Sequence, residues 1–187
     1  MAGGIGSRFW PYSRTNYPKQ FHDVLGIGES MLQMTAKRFE DICPPENVFV
    51  VTNKDYEALV KEQLPQLSDN QVLLEPVGRN TAPCIAYASY KIAQLNPNAN
   101  LVVTPADHVV LKQDVFTEVV KEAVTAAAKD DVLITLGITP SRPDTGYGYI
   151  QYIDEENAKI KKVKTFTEKP NLELAQMFLE SGDFVWN

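Results

Sequence analysis

Short apolar segments alternate with longer segments of helical periodicity between residues 30 and 138. Segments rich in Val, Ile and Leu predict strands, whereas apolar residues that recur every three or four positions predict helices. The predicted strands cover residues 47–53, 71–76, 100–107 and 131–138. The predicted helices cover residues 30–43, 55–64, 81–95 and 114–129. Because strands and helices alternate, the pattern predicts an α/β fold with a Rossmann-like, mainly parallel sheet flanked by helices.

The pattern changes after Ile138. Two segments, GYGYIQYI at 146–153 and KKVKTFTEK at 161–169, are typical of antiparallel strands. Residues 171–181 then predict a helix. We therefore expect a mixed sheet, in which these strands extend a single domain over residues 1–187 on the side where ligands bind.

The bulk composition narrows the class of protein. A chain of 187 residues that is 44% apolar can bury one core. Its formal net charge of −6 argues against a general nucleic-acid binder, which needs a basic face. Cys43 and Cys84 match no metal or disulfide spacing, so we interpret both as buried thiols in a reducing compartment. No signal peptide or membrane-length apolar segment is recognisable, and we expect a cytoplasmic protein that binds neither nucleic acid nor membranes.

The opening segment GGIGSRF, residues 3–9, concentrates glycine next to basic residues. Glycine lets the backbone turn tightly and approach a ligand, while Arg8 and Lys19 can neutralise anionic oxygens, so the segment predicts a phosphate-binding loop. A dinucleotide-binding fingerprint is disfavoured because Phe9 stands where its last glycine would be. No Gly-Lys-Ser/Thr run closes a Walker A loop either. A plain surface turn would account for the glycines but not for the basic residues.

Two further polar segments lie at the ends of predicted strands. EPVGRNTAP at 75–83 follows the second strand, and PADH at 105–108 ends the third. Open α/β sheets bind ligands beyond the carboxyl ends of their strands, so we expect these segments and the glycine-rich loop to meet at one edge. Asp107 is then either a solvated loop acid or a ligand of Mg²⁺, which commonly takes one or two protein carboxylates. Asn80 or Thr81 is either a helix N-cap or a ligand contact. His108 is expected to be structural or loop-facing rather than a metal ligand, because no His/Cys metal spacing lies nearby.

Six segments together resemble those of one family. They are AGGIGSRFWPYSRTNYPKQF at 2–21, EPVGRNTAP at 75–83, TPADH at 104–108, TGYGYI at 145–150, FTEKP at 166–170 and VWN at 185–187. Their sequences and order resemble the sugar-nucleotide nucleotidyltransferases, and in particular the mannose-1-phosphate guanylyltransferase branch. The resemblance implies an enzyme that makes GDP-mannose and pyrophosphate from GTP and mannose 1-phosphate, by in-line attack of the sugar phosphate on the α-phosphorus. It also allows a homodimer.

The resemblance further assigns site residues. Catalytic roles fall to Arg8, Lys19 and Asp107, and Asp107 would hold Mg²⁺ or another divalent cation. The nucleotide-binding residues would be Gly3, Gly4, Gly6, Ser7, Arg8, Glu75, Gly78, Arg79, Asn80 and Thr81. The sugar-phosphate-binding residues would be Gly146, Tyr147, Glu168, Lys169 and Asn187. Two alternatives stay open: a pyrophosphorylase for another hexose 1-phosphate or base, and a noncatalytic nucleotide-sugar sensor on the same fold.

The two ends of the chain give a separate expectation. A phosphate loop of this kind hangs from the end of a strand, yet only Met1 and Ala2 precede Gly3. The related family also continues beyond VWN and carries a second metal-binding aspartate there. We therefore expect the 187 residues to be the central part of a longer polypeptide, incomplete at both ends, and to be poorly stable and inactive alone.

Overall fold

The computed structural model describes residues 1–4, 6–155 and 158–187, and it includes Arg8 only through its backbone. The chain divides into two compact units, Met1–Lys129 and Asp130–Asn187. The first is a mixed α/β unit with a parallel strand pair, and the second packs a helix on an antiparallel sheet. The α/β fold class predicted from the sequence is confirmed.

The first unit is built on two parallel strands, β1 (Val50–Asn53) and β2 (Val72–Glu75), which pair from Val50 with Val72 to Asn53 with Glu75. Its helices are α1 (Met31–Lys37), α2 (Glu57–Gln63), α3 (Thr81–Leu95) and α4 (Gln113–Ala127). Short 3₁₀ helices cover Ser7–Phe9, Lys19–Phe21, Pro45–Asn47, Lys54–Tyr56 and Asp69–Gln71. Helix α1 begins with a capping box. The main-chain N–H of Gln33 donates to Ser30 Oγ at 3.2 Å, and the main-chain N–H of Ser30 donates to the side-chain Oε1 of Gln33 at 2.9 Å.

The core of the first unit packs β1, β2 and α2 around the start of the chain. Val50, Val60 and Val72 are buried there together with Phe21 and Ala2. The Ala2 amide donates to Val51 O at 2.8 Å, and the Ala106 amide donates to Met1 O at 3.0 Å. The first two residues therefore lie between β1 and the segment that carries Asp107, and they join the two through the main chain.

The second unit is a three-stranded antiparallel sheet in the order β4–β3–β5. Its strands are β3 (Gly148–Ile153), β4 (Lys162–Glu168) and β5 (Phe184–Trp186). Helix α5 (Leu172–Ser181) begins where Asn171 Oδ1 accepts from the Leu174 amide at 2.9 Å, and it ends at Gly182, whose φ is 77°. Tyr149, Ala175, Phe184 and Trp186 form the buried core between helix and sheet.

Several elements match the sequence pattern and others do not. Helix α3 covers the predicted range, α2, α4 and α5 lie within one or two residues of theirs, and the antiparallel pair β3–β4 is confirmed. The predicted helix 30–43 is too long, because α1 ends at Lys37 and turns follow. Cys84 is a buried free thiol as predicted, but Cys43 is only partly buried.

The predicted strands at 100–107 and 131–138 are wrong as ladder strands. Among the described residues outside the segment itself, the backbone of 100–107 forms hydrogen bonds only with Met1, through Thr104 O at 2.8 Å and the Ala106 N–H at 3.0 Å. The segment 131–138 pairs at one point, where Ile138 bridges to Trp186. A strand needs a continuous hydrogen-bonding partner, and neither apolar segment has one along its length. No helix in the described residues is both long enough and apolar enough to span a membrane.

One glycine of the second unit is closely packed and gives a stability prediction. A Cβ atom added at Gly137 would lie 2.9 Å from Val185 Cβ on β5. We expect Gly137→Ala to lower the free energy of unfolding by about 1–3 kcal/mol, because backbone or strand must move to admit the methyl group. Gly78→Ala is the control, since nothing lies within 4 Å of its added Cβ. Thermal or urea unfolding measures both, and equal stability of the two variants would contradict the prediction.

Candidate functional site

Buried side chains of the first unit hold the carbonyl groups of the glycine loop. Gln20 Nε2 donates to Ala2 O at 2.9 Å and to Gly4 O at 3.1 Å, and Thr52 Oγ1 donates to Ala2 O at 3.0 Å. Both side chains are buried, with 3% and 0% exposure. The loop conformation is therefore fixed by the core. Sequence reasoning missed Gln20 and Thr52, because their role depends on contacts with distant main-chain atoms.

The main-chain N–H groups of the same loop have no such partners within the described part of the chain. The main-chain N–H groups of Gly3, Gly4, Gly6 and Ser7 donate no hydrogen bond to any described residue. Gly3, Gly4 and Ser7 are exposed, and Gly6 is half-buried. A run of such amides can bind anionic oxygens, as the glycine pattern predicts. The side chain of Arg8, which was predicted to assist them, lies outside the described part of the chain.

Gly6 joins the loop to the segment that carries Lys19. Its φ is +60°, and an added Cβ would lie 2.8 Å from Ser13 Oγ and 3.0 Å from Lys19 Cγ. Ser13 Oγ accepts from the Lys19 amide at 2.9 Å. This close approach is possible only for a residue without a side chain. The loop and Lys19 are thus packed against each other.

Lys19 and Asp107 form an ion pair. Lys19 Nζ lies 2.7 Å from Asp107 Oδ2, and their side chains are 22% and 31% exposed. The ammonium group is also 5.3 Å from the centre of the Phe9 ring. The structure therefore brings together two predicted catalytic residues from distant parts of the sequence. Because both groups are partly shielded from solvent, their charges act on each other, and on a ligand, with less screening than at an open surface.

A buried arginine holds the loop that carries Asp107. Arg38 Nη2 donates to His108 O at 2.9 Å, and Gln113 Nε2 donates to Arg38 O at 3.0 Å. Arg38 is 5% exposed, and its guanidinium lies 5.5 Å from the Phe116 ring centre. Burial lowers the pKa of Arg38 from its ordinary value. This residue was not found from the sequence, since a single arginine within a predicted helix gives no signal of what it contacts.

Asp107 can bind a divalent cation only if oxygen atoms of a bound phosphate or of water complete the coordination shell. One carboxylate oxygen contacts Lys19, and the other, Oδ1, lies 3.9 Å from the exposed His108 Nε2. Within residues 1–4, 6–155 and 158–187, no group of three or more His, Cys, Asp or Glu side chains could hold a metal ion. Mg²⁺ commonly binds one or two protein carboxylates and completes its shell with phosphates and waters. The donor set at Asp107 fits that mode of binding.

The loop after β2 borders the glycine loop and continues into α3. Glu75 ends β2, and a Cβ added at Gly3 would lie 3.4 Å from Glu75 Oε2. Gly78, Arg79 and Asn80 are exposed, and α3 begins at Thr81. Asn80 occupies the N-cap position but makes no side-chain capping bond. The first amides of this long helix, which are available to polar ligand groups, therefore lack the cap that Asn80 could have supplied.

The predicted sugar-phosphate residues converge at one end of the β4–β3–β5 sheet. Gly148, at the start of β3, pairs with Glu168 at the end of β4. The main-chain N–H of Asn187 donates to Gly148 O at 3.0 Å, and the main-chain N–H of Lys169 donates to Tyr147 O at 3.2 Å. Gly146 directly precedes Tyr147, so antiparallel pairing assembles all five predicted residues from three separate segments.

The polar groups of this cluster face solvent. Lys169 Nζ lies 2.8 Å from Glu168 Oε1, and their side chains are 61% and 71% exposed. Asn187 Oδ1 accepts from Thr135 Oγ1 at 3.2 Å. The Tyr147 ring rests on Trp186, with 5.1 Å between ring centres. A cation, a carboxylate and an amide that are accessible next to an aromatic surface can bind a phosphorylated polyol.

Backbone strain occurs at two of the predicted site residues. In the described part of the chain, the non-glycine residues with positive φ are Asn80, at 67°, and Lys169, at 44°. This conformation costs about 1–3 kcal/mol per residue and is concentrated at ligand-binding sites. One strained residue lies in each unit, which supports both predicted sites independently of the sequence motifs.

Comparison with known proteins identifies the class. A family model described as nucleotidyl transferase matches residues 1–187, and the chain belongs to that family. Mannose-1-phosphate guanylyltransferase from Salmonella montevideo is 43% identical over 195 residues, and the match covers 100% of this chain and 40% of that protein. The enzyme of the same name from Escherichia coli K12 is 42% identical over 196 residues, again with 100% and 40% coverage. The chain therefore spans about 40% of the length of these relatives.

Solved structures agree with this assignment. The crystal structure of mannose-1-phosphate geranyltransferase from Thermus thermophilus matches with a TM-score of 0.88 and 34% identity, covering 100% of this chain and 53% of that one. The crystal structure of mannose-6-phosphate isomerase from Helicobacter pylori matches with a TM-score of 0.75 and 29% identity, covering 92% and 65%. The fold of this chain is therefore that of the nucleotidyl transferases, as its sequence motifs predict.

Proposed function

We propose that the protein containing this chain catalyses the reaction of GTP with mannose 1-phosphate to give GDP-mannose and pyrophosphate. An oxygen of the sugar phosphate forms a bond to the α-phosphorus of GTP, and the bond from that phosphorus to the bridging oxygen of the β-phosphate breaks. The observation that carries the proposal is the Lys19–Asp107 pair, 2.7 Å apart, beside a loop with four amides that donate to no described residue. The names of the relatives at about 40% identity support the choice of GTP and mannose 1-phosphate.

The main electrostatic task is to bring two anions together. Two unit charges 4 Å apart repel by about 1 kcal/mol in water and by about 4 kcal/mol at an effective dielectric constant near 20. In this proposal the amides of Gly3, Gly4, Gly6 and Ser7 bind phosphate oxygens of GTP. Lys19 moves from Asp107 to the triphosphate and offsets its charge, and Arg8 would also offset charge on the triphosphate. No protein nucleophile is needed, because positioning and charge stabilisation suffice for direct in-line transfer.

Asp107 would hold Mg²⁺ or another divalent cation together with the phosphate oxygens of the nucleotide. Such a cation, when bound, offsets negative charge on the phosphates. The carboxylate also keeps the Lys19 ammonium beside the loop before the nucleotide binds, since the two groups are already paired. Arg38, through His108 O, fixes the main chain next to this carboxylate.

The remaining predicted residues form two groups, one for each substrate. Glu75, Gly78, Arg79, Asn80 and Thr81 would bind the guanine base and ribose. Gly146, Tyr147 and Asn187 would contact the sugar, Glu168 would accept hydrogen bonds from its hydroxyls, and Lys169 would bind its phosphate. Glu168 and Lys169 suit these roles because a carboxylate is an acceptor and an ammonium group is a compact cation.

The test is pyrophosphate release measured with each of the four common nucleoside triphosphates against the 1-phosphates of mannose, glucose and N-acetylglucosamine. We expect the highest rate with GTP and mannose 1-phosphate, and much tighter binding of GTP than of ATP by titration. A preference for another pair would change the proposed substrates but not the proposed type of reaction. If the protein binds these ligands and releases no pyrophosphate with any pair, it is a nucleotide-sugar sensor and the proposal is wrong.

Lys169→Ala tests the division of roles between the two sites. We expect KM for mannose 1-phosphate to rise about tenfold or more and KM for GTP to stay within about twofold, because the proposed partner of Lys169 is the sugar phosphate. Lys162→Ala, which removes an exposed lysine at the opposite end of β4, is the control and should leave both constants unchanged. A defect of Lys169→Ala in GTP binding alone would contradict the assignment.

A further inference from the structure

The carboxylate of Asp144 connects two parts of the turn that precedes β3. Asp144 Oδ1 accepts from the Gly146 amide at 2.8 Å, and Oδ2 accepts from Arg142 Nη2 at 2.6 Å. The hydrogen bond from the Gly146 amide, together with the Arg142 guanidinium, holds the pKa of Asp144 below its ordinary value. Each carboxylate oxygen therefore has a separate partner, and both partners belong to residues 142–147.

The main chain of Asp144 is anchored in the core of the second unit. Its amide donates to Tyr149 Oη at 3.0 Å, and the same hydroxyl donates to Asp144 O at 3.0 Å. Tyr149 is 0% exposed and packs against Phe178 and Trp186. The position of Asp144 is thus set by a buried side chain of β3 as well as by local contacts in the turn.

Both ends of the turn rest on a single aromatic ring. The Arg142 guanidinium lies 5.2 Å from the centre of the Trp186 ring, and the Tyr147 ring lies 5.1 Å from it. Trp186 is 8% exposed, so its position is determined by the core. Because Arg142 is held between Trp186 and the Asp144 carboxylate, it supports the turn from one end while Tyr147 closes it at the other.

The turn presents two of the proposed sugar-binding residues and contacts a third. Gly146 donates its amide hydrogen bond to Asp144, and Tyr147, which is 43% exposed, follows directly. Tyr147 O in turn accepts from the amide of the strained residue Lys169 at 3.2 Å. A displacement of the turn would therefore move Gly146 and Tyr147 and would release the main chain of Lys169.

We propose that Asp144 is a positioning residue, which with Arg142 holds the 142–147 turn in the conformation that receives the sugar 1-phosphate. The inference rests on the proposed function, because it concerns the sugar-phosphate side of that reaction. Asp144 and Arg142 do not themselves touch substrate in this proposal. They act through Gly146, Tyr147 and Lys169.

The test compares Asp144→Ala, Asp144→Asn, Arg142→Ala and the double variant Arg142→Ala/Asp144→Asn in the purified protein. Asp144→Ala should raise KM for the sugar 1-phosphate about tenfold with KM for GTP within about twofold of the original. Asparagine keeps an oxygen for the Gly146 amide and loses only the ion pair, so Asp144→Asn should raise the same KM by about two- to threefold. Arg142→Ala also loses the contact with Trp186, so its effect should lie between those of Asp144→Asn and Asp144→Ala, and the double variant should be no worse than Arg142→Ala alone.

Kinetic results of two kinds would overturn the proposal. One is an unchanged sugar-phosphate KM in folded Asp144→Ala, or an equal rise in both KM values, which would indicate a general structural role. The other is a larger defect in Arg142→Ala than in Asp144→Ala with additive effects in the double variant, which would indicate direct contact of Arg142 with substrate.

A binding readout separates this proposal from the reaction itself. Isothermal titration of the protein with mannose 1-phosphate measures binding without turnover, and Asp144→Ala should weaken that binding about tenfold. If the original protein binds the sugar phosphate but forms no product, the proposed reaction fails while the role of Asp144 is still decided by this titration. Equal binding by Asp144→Ala and the original protein would overturn the positioning role alone.

Discussion

Replacing Lys19 by alanine is expected to lower turnover at least about a hundredfold while the fold persists, because a positioned cation that stabilises developing phosphate charge has effects of this size. Lys19 is 22% exposed beside the glycine loop, so bulk water cannot substitute well for its charge. Steady-state pyrophosphate release gives the rate, and circular dichroism confirms the fold. Lys37→Ala is the matched control, because Lys37 forms an exposed ion pair with Glu29 at 2.8 Å and should lose less than about twofold of the rate.

Asp107→Ala is expected to cause a loss of similar size, since Asp107 both pairs with Lys19 and is the proposed carboxylate for the divalent cation. Its defect should depend on the concentration of Mg²⁺, whereas the defect of Lys19→Ala should not. Near-normal turnover in either folded variant would remove that residue from the proposed mechanism. An identical Mg²⁺ dependence in Asp107→Ala and the original protein would contradict the proposal that Asp107 holds the cation.

Gly6→Ala is also expected to have a large effect, on nucleotide binding. The added methyl group would meet Ser13 Oγ at 2.8 Å and would force a side chain into a backbone conformation with φ of +60°. We expect KM for GTP to rise more than about tenfold, because the strain of about 1–3 kcal/mol is relieved only if the loop amides move. Isothermal titration with GTP and thermal unfolding together measure the effect.

A second strained glycine serves as the control for Gly6. Gly28 has φ of +85° and nothing within 4 Å of an added Cβ, so Gly28→Ala introduces strain away from the glycine loop. It should lower stability and leave GTP binding within about twofold. Equal GTP affinities of Gly6→Ala and the original protein would mean that the loop conformation does not govern nucleotide binding.

The helices of the fold were predictable because their sequences carry local signals. Helix α3, Thr81–Leu95, combines a polar start with a long helical pattern, and the prediction agrees with its bounds. The segments 100–107 and 131–138 carry the apolar pattern of strands, but strand formation depends on a neighbouring backbone that composition does not report. Strand β5, Phe184–Trp186, has only three residues and was too short to give a pattern.

The candidate site was predictable where sequence motifs mark it and unpredictable where core residues support it. The expectation that the three motif-bearing loops meet is supported in the first unit, where Lys19 contacts Asp107 and Gly3 lies beside Glu75, although the segment that leads to Asp107 is not a ladder strand. Gln20 and Arg38 were missed, because each acts through a main-chain carbonyl group that only the folded chain brings to it. The alignment of Gly148 with Glu168 also depends on pairing register, and a bulge between Gln151 and Tyr152 shifts that register along the same pair of strands.

The positive φ angles of Asn80 and Lys169 limit where this nucleotidyl transferase chain can be stabilised against heat. Glycine at either position would relieve the conformational cost that the present residue bears, so both positions would be attractive in a search for stabilising substitutions. Yet both lie in the proposed binding surfaces, where in our proposal the side chain or the fixed backbone contacts the ligand. Selection for thermal tolerance at these two positions would therefore favour variants that keep the fold and lose affinity, a trade between stability and activity. Stabilisation of this chain is better sought away from these two strained residues, on the exposed surfaces of α4 and α5.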